Sequence, residues 1–193
     1  MLSEKQFRER ARSQLRQIGS QLRGLANDRD IYWKLETEIV EANPQLRHAR
    51  SAFLDMVRGC YVDGVTARVL RLLEPANGDA SLPAVLAQLS EYPALLHDKI
   101  TEHELAEDRA ALQQAAANAR RVALLRAEHH ERTLSALSSA HRELDAAIDL
   151  MISTVKTYYW IVNESYIELG VNYAADPLAI FQFAWGVPVV AVR

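Results

Sequence analysis

The chain is short of cysteine, proline and glycine, and each shortage excludes something. A single cysteine, Cys60, has no disulfide partner within the chain and cannot build an all-cysteine zinc site, which points to a reducing compartment. Gly and Pro number 7 and 6 among 193 residues, far below the roughly 12% of an average chain, so turns are few and helices long. No apolar run approaches the roughly 18 residues that span a bilayer. Met1 leads into charged residues without the basic-then-apolar start of a secretory signal, so a cytoplasmic location is expected. Gly-x-Gly-x-x-Gly, Walker, Gly-x-Ser-x-Gly and His-Glu-x-x-His motifs are all missing, which removes the common routes to dinucleotide, nucleoside triphosphate, acyl-transfer and zincin chemistry.

What is present is helical periodicity. Phe7, Ala11, Leu15, Ile18, Leu22 and Leu25 step by four or three along one stripe, and Ser3 with Gln6 forms a capping box at its start. A kink or turn is expected at Ala26-Asn27-Asp28, with a second helix carrying Ile31, Leu35 and Ile39 up to Asn43-Pro44. From Gln45 to Glu74 the apolar positions, Cys60 among them, cover more than one face, as in a helix packed on several sides, and Cys60 reads as an inert core residue. Pro75 to Asp79 form a loop, and Ser81 caps a short helix that Tyr92-Pro93 ends. Thr101 with Glu104 caps an alanine-rich helix running to about Arg132. A last long helix, roughly Ser138 to Leu169 with Gly170 as its cap, places Leu144, Ile148, Met151, Val155, Tyr158 and Val162 on one seam suited to a bundle core or a dimer. Asp176-Pro177 starts a further short helix before an apolar tail through Trp185 and Val190. The expected fold is one all-α domain over residues 1–193: an antiparallel bundle of about five main helices with short extra helices and that tail.

The formal charge of -3 hides an alternation. Residues 1–34 carry eight basic and four acidic side chains, a balance of +4; residues 35–108 carry six and thirteen, -7; residues 109–141 five and two, +3; and residues 142–193 three and six, -3. Solvated faces with salt bridges between helices explain this without a ligand. The sharper reading joins the first helix to the 120–132 stretch as one phosphate-facing strip.

Arg120, Arg121, Arg126, His129, His130 and Arg132 form the densest local cluster of Arg and His. A metal-independent ribonuclease needs a group of near-neutral pKa to move the 2′-hydroxyl proton and a fixed cation beside the pentavalent phosphate. His130 and Arg126, four apart on one helical face, can fill these roles, with Arg120, Arg121, His129 and Arg132 as RNA-binding residues. The same cluster at a helix C-terminus also complements the helix dipole with no substrate at all. No Glu-x-x-His pair exists, so the di-iron signature is absent and no metal or other cofactor is expected. His141 with Asp145 and His103 with Glu107 could each chelate a surface metal, ordinary side-chain contact being the plainer reading. Trp33, Trp160 and Trp185, with Tyr32, Tyr158 and Tyr159, can stack on bases or fill the core.

Taken in order, Tyr32-Trp33-Lys34-Leu35, Asn43-Pro44, Arg71-Leu72-Leu73-Glu74, Ser81-Leu82-Pro83-Ala84-Val85-Leu86 and Leu144-Asp145-Ala146-Ala147-Ile148-Asp149 resemble the HEPN superfamily, in particular its bacterial abortive-infection-like branch. Glu128-His129-His130 falls where that branch has a basic Ala-His stretch, and Asp176 to Trp185 resembles its tail. The resemblance implies a helical bundle that forms a homodimer, with RNA or a cognate antitoxin as partner, in ribonuclease, toxin-antitoxin or phage-defence settings. It also implies a catalytic Arg followed after four to six residues by a His. This chain departs there: only Arg126 and His130 approximate the pattern, with three residues between them. The implied role is therefore binding of RNA or a partner protein, with a ribonuclease and a structural dimerisation module as alternatives.

Overall fold

A computed structural model describes residues 3–43, 45–46, 52–74, 80–96, 99–128 and 134–182, the side chains of 128, 134–139, 180 and 182 excepted. Helix α1 spans Glu4–Lys34 and continues directly into a π-helical stretch, Leu35–Glu41. Ser3 Oγ accepts from the Gln6 backbone N–H while Gln6 Oε1 accepts from the Ser3 N–H, the expected capping box. All six residues of the first apolar stripe are buried. The expected break at Ala26-Asn27-Asp28 does not occur. Ala26 is buried, Asn27 exchanges hydrogen bonds with Asn172, and Asp28 pairs with Arg68. Distant groups thus occupy the side chains that would otherwise cap a turn, and the backbone stays helical.

Helix α2 (Ala52–Leu73) follows, then α3 (Leu82–Ser90), the single turn α4 (Pro93–Leu96), α5 (Glu102–Glu128) and α6 (Leu134–Asn163). Thr101 and Glu104 cap α5 reciprocally, as expected. Ser81 does sit at the N-cap of α3, but its hydroxyl is buried and makes no cap bond. Helix α1 lies against α6, α2 against α5 and α5 against α6. Pairs such as Arg16–Tyr159 with Arg29–Asp149, and Arg121–Glu143 with Tyr158–Asp108, make the long neighbours antiparallel. Strands are absent among the described residues, and the architecture is an all-α bundle. No helix among them is long and apolar enough to cross a membrane.

Two ends differ from expectation. Helix α6 stops at Asn163 rather than near Gly170, because Glu164 adopts a left-handed backbone (φ 52°) that reverses the chain. The segment after it runs back over α1. A Cβ on Gly19 would lie 2.9 Å from Ile167 and 3.1 Å from Leu169, so the absence of a side chain there lets the returning segment approach. Beyond Asp176, whose carboxylate accepts from the Leu178 N–H, the chain forms only a 3₁₀ turn, Ala179–Gln182. Residues 183–193, with Trp185 and most of the apolar tail, lie outside the described residues.

Candidate functional site

The arginines of the expected strip are not gathered. Arg126 donates two 2.9 Å hydrogen bonds to Asp63 of α2, and that bonding raises its pKa further. Arg120 bonds to Glu74 at the end of α2 at 2.6 Å, and Arg121 turns the other way, to Glu143 of α6. Three neighbouring cations thus point at three carboxylates on two different helices. His129, His130 and Arg132 lie outside the described residues. The N-terminal half of the basic first helix packs beside Tyr159, near the C-terminal end of α6, whereas Arg121 meets Glu143 near the other end.

A different cationic edge lies along α1 where it packs on α6. Arg8, Arg12 and Arg16 recur every four residues and so lie along one edge of α1. Arg16 Nε donates to the Tyr159 hydroxyl at 3.0 Å, and the Arg12 guanidinium lies close enough to act on the same oxygen. Burial pushes the Tyr159 phenol up, but the two guanidiniums outweigh it and hold its pKa below the usual tyrosine value. Arg12 and Arg16 are themselves exposed, and among the described residues neither has a carboxylate partner. Lys156, one turn before Tyr159, is exposed as well. The next residue, Trp160, is 39% exposed, with the Lys99 ammonium over its ring at 5.7 Å and held by Glu164. This is a set of forked donors free to take phosphate oxygens beside an accessible aromatic face. The signal was present in the sequence as the Arg8, Arg12, Arg16 spacing, but Tyr159, 143 residues from Arg16, was not connected to it.

The other end of the bundle holds a buried polar cluster. Tyr32 and Tyr61 stack with ring centroids 4.0 Å apart, and His141 packs against both. Asp145 accepts from Trp33 Nε1 at 2.8 Å and from the Tyr61 hydroxyl at 3.3 Å. Burial raises both tyrosine pKa values and lowers that of His141, which is 5% exposed. The imidazole is therefore neutral at pH 7, its Nδ1 3.5 Å from the Tyr32 hydroxyl and its Nε2 without a hydrogen-bond partner. Nearby, Arg58 makes a two-bond pair with Glu36 of the π-helical stretch at 2.7 and 2.8 Å. A π turn at such a cluster is a recurrent mark of functional positions. Chelation by His141 and Asp145 is not supported, since Asp145 is bound to Trp33 and Tyr61. His103 and Glu107 make an exposed contact at 3.4 Å. Among the described residues no group of three or more His, Cys, Asp or Glu is placed to hold a metal ion.

Cys60 is not in the core. It is exposed on the outer face of α2, in line with Phe53 and Met56, which are 57% and 56% exposed. The apolar pattern of α2 covers both its inner and outer faces, so periodicity did not tell them apart. Comparison with protein-family models, with curated proteins and with solved structures gives no match.

Proposed function

We propose that this chain is a HEPN-like helical protein that binds RNA without cleaving it, in the phage-defence or toxin-antitoxin setting that the resemblance implies. The observation that carries this reading is the pair of exposed guanidiniums, Arg12 and Arg16, which bracket the Tyr159 hydroxyl and have no carboxylate partner among the described residues. Arg120, Arg121 and Arg126 of the 120–132 stretch, by contrast, each meet an acid. Phosphate binding through Arg126 would first have to break a two-bond pair, whereas Arg12 and Arg16 are available without that cost. Trp160, which follows Tyr159 in the chain and is 39% exposed, adds aromatic surface that suits a single-stranded segment whose bases are splayed out.

The test is fluorescence anisotropy with a single-stranded RNA over a range of salt. The Arg12→Ala, Arg16→Ala variant should bind about tenfold or more weakly, and losing two phosphate contacts should lower the salt slope by about 1.4. The Arg120→Ala, Arg126→Ala variant should bind as the parent does. Equal affinity of parent and the α1 variant, or binding indifferent to salt, overturns the reading. The ribonuclease alternative, with Arg126 and His130 as its pair, is tested on the same material: cleavage that His130→Ala abolishes would establish it.

A further inference from the structure

We propose that the cavity between the end of α3, the turn α4 and the start of α5 binds a small carboxylic acid with an apolar body, its carboxylate held by Arg109. This goes beyond RNA binding and uses none of the arginines of that edge. The cavity has a volume of about 490 Å³, within the roughly 300–1,000 Å³ of small-ligand sites. Its existence follows from the path of the chain. Pro93 opens the single turn α4 soon after α3 ends at Ser90, and α5 sets out again at Glu102, so the backbone turns twice around one space. Ala106 lines that space with only a methyl group, where a longer side chain would fill it.

The walls are of two kinds. Pro93, Leu96, Ile100 and Leu105 supply apolar surface that takes a hydrocarbon body out of water. Glu102 and Arg109 flank Ala106 on the same side of α5, at spacings of four and three. They stand about 10 Å apart along the helix axis, too far to pair with one another. Neither side chain has a hydrogen-bond or ion-pair partner among the described residues. Their surroundings decide which of them anchors a ligand. Glu102 is exposed at the mouth and keeps its water, so a cation gains little there. Arg109 is half-buried, and its partly desolvated fork of donors matches a carboxylate. Two other polar groups near the site are already committed: the Ser90 hydroxyl donates to the Ala87 carbonyl, and Lys99 turns its ammonium to Glu164 and the Ile161 carbonyl. The occupant therefore carries its charge at one end. The distance from Arg109 to the mouth suits a body of roughly eight carbons, and Glu102 repels a second carboxylate, so a monoacid is selected over a diacid.

Titration of the full chain with octanoate, followed by amide chemical shifts, tests this. Saturable shifts confined to the residues around the cavity are expected, with a dissociation constant on the order of a millimolar or lower for so small a ligand. Octanol should bind about tenfold more weakly, and octylamine more weakly still. Arg109→Gln should weaken octanoate about tenfold and leave octanol as it was, a split that a general loss of packing would not produce. Ala106→Phe should abolish the binding of both, and because the position is exposed the variant should keep the helicity and thermal midpoint of the parent. Shifts scattered over the bundle, or none at any concentration, overturn the site. Octanol or octylamine binding as tightly as octanoate, or octanoate binding untouched by Arg109→Gln, overturns the anchor, and binding untouched by Ala106→Phe overturns the cavity. RNA affinity of the Arg12→Ala, Arg16→Ala variant is read separately, so either inference can fail alone.

Discussion

The Tyr159 hydroxyl accepts a 3.0 Å hydrogen bond from Arg16 Nε across the α1–α6 contact, joining residues 143 apart in the sequence. The guanidinium is thereby oriented while its remaining N–H groups stay directed to solvent. Replacing Tyr159 by Phe removes the anchor but not the charge. The expected outcome is an RNA affinity several-fold lower, with thermal stability changed by only about 1 kcal/mol. The phenol itself should titrate below an ordinary tyrosine in a pH-dependent absorbance experiment. Arg16→Gln should move that titration back up, and no movement would show that the two groups are not coupled.

His141 makes the fold sensitive to mild acid. Its folded pKa is depressed by burial below the unfolded value of about 6.5. The unfolded chain therefore binds the proton more readily, and this contribution to stability is full above about pH 6.5 and is lost as the pH falls toward the folded pKa. Urea midpoints should fall between pH 7.5 and 5.5 in the parent. In His141→Asn, where nothing titrates at that position, the slope over this window should flatten.

Glu36 and Arg58 are 13% and 19% exposed and joined by two short bonds. Glu36→Gln leaves the partly desolvated guanidinium with only the more distant, exposed Asp55 at 3.9 Å as counter-charge, at a cost of about 1–3 kcal/mol. Chemical denaturation measures that loss, and amide exchange in Leu35–Glu41 should quicken because the pair ties the π-helical stretch to α2.

At Gly19 the neighbouring atoms are the ends of Ile167 and Leu169. An Ala there needs those side chains to shift by a few tenths of an ångström. Gly19→Val needs the returning segment to move, costing about 1–3 kcal/mol by overpacking. Amide exchange around Leu169 and Asn172 should rise in the valine variant while the helices stay protected.

Much of the architecture was legible because burial leaves a periodic trace. The Phe7 to Leu25 and Leu144 to Val162 stripes are buried along their whole lengths, and both capping boxes form as read. What was not legible depends on neighbours. Asn27 and Asp28 resemble a turn until Asn172 and Arg68 are seen to engage them. The 120–126 cluster counts as basic in a segment sum, yet Glu74, Asp63 and Glu143 oppose it from 46, 63 and 22 residues away. Cys60 and Met56 are as apolar as the residues behind them, and only packing tells the inner face of α2 from the outer.

The left-handed Glu164 has a mechanical corollary. Past this reversal the chain is fastened to α1 by single links in succession: Ile167 and Leu169 at Gly19, Glu168 to Arg23, Asn172 to Asn27, and Tyr173 to Asp30. Tension applied beyond Tyr173 would load them one at a time, like a zip, and would peel this strip at low force. The same pull borne lengthwise by α1 and α6 would have to shear a whole row of interlocked side chains at once.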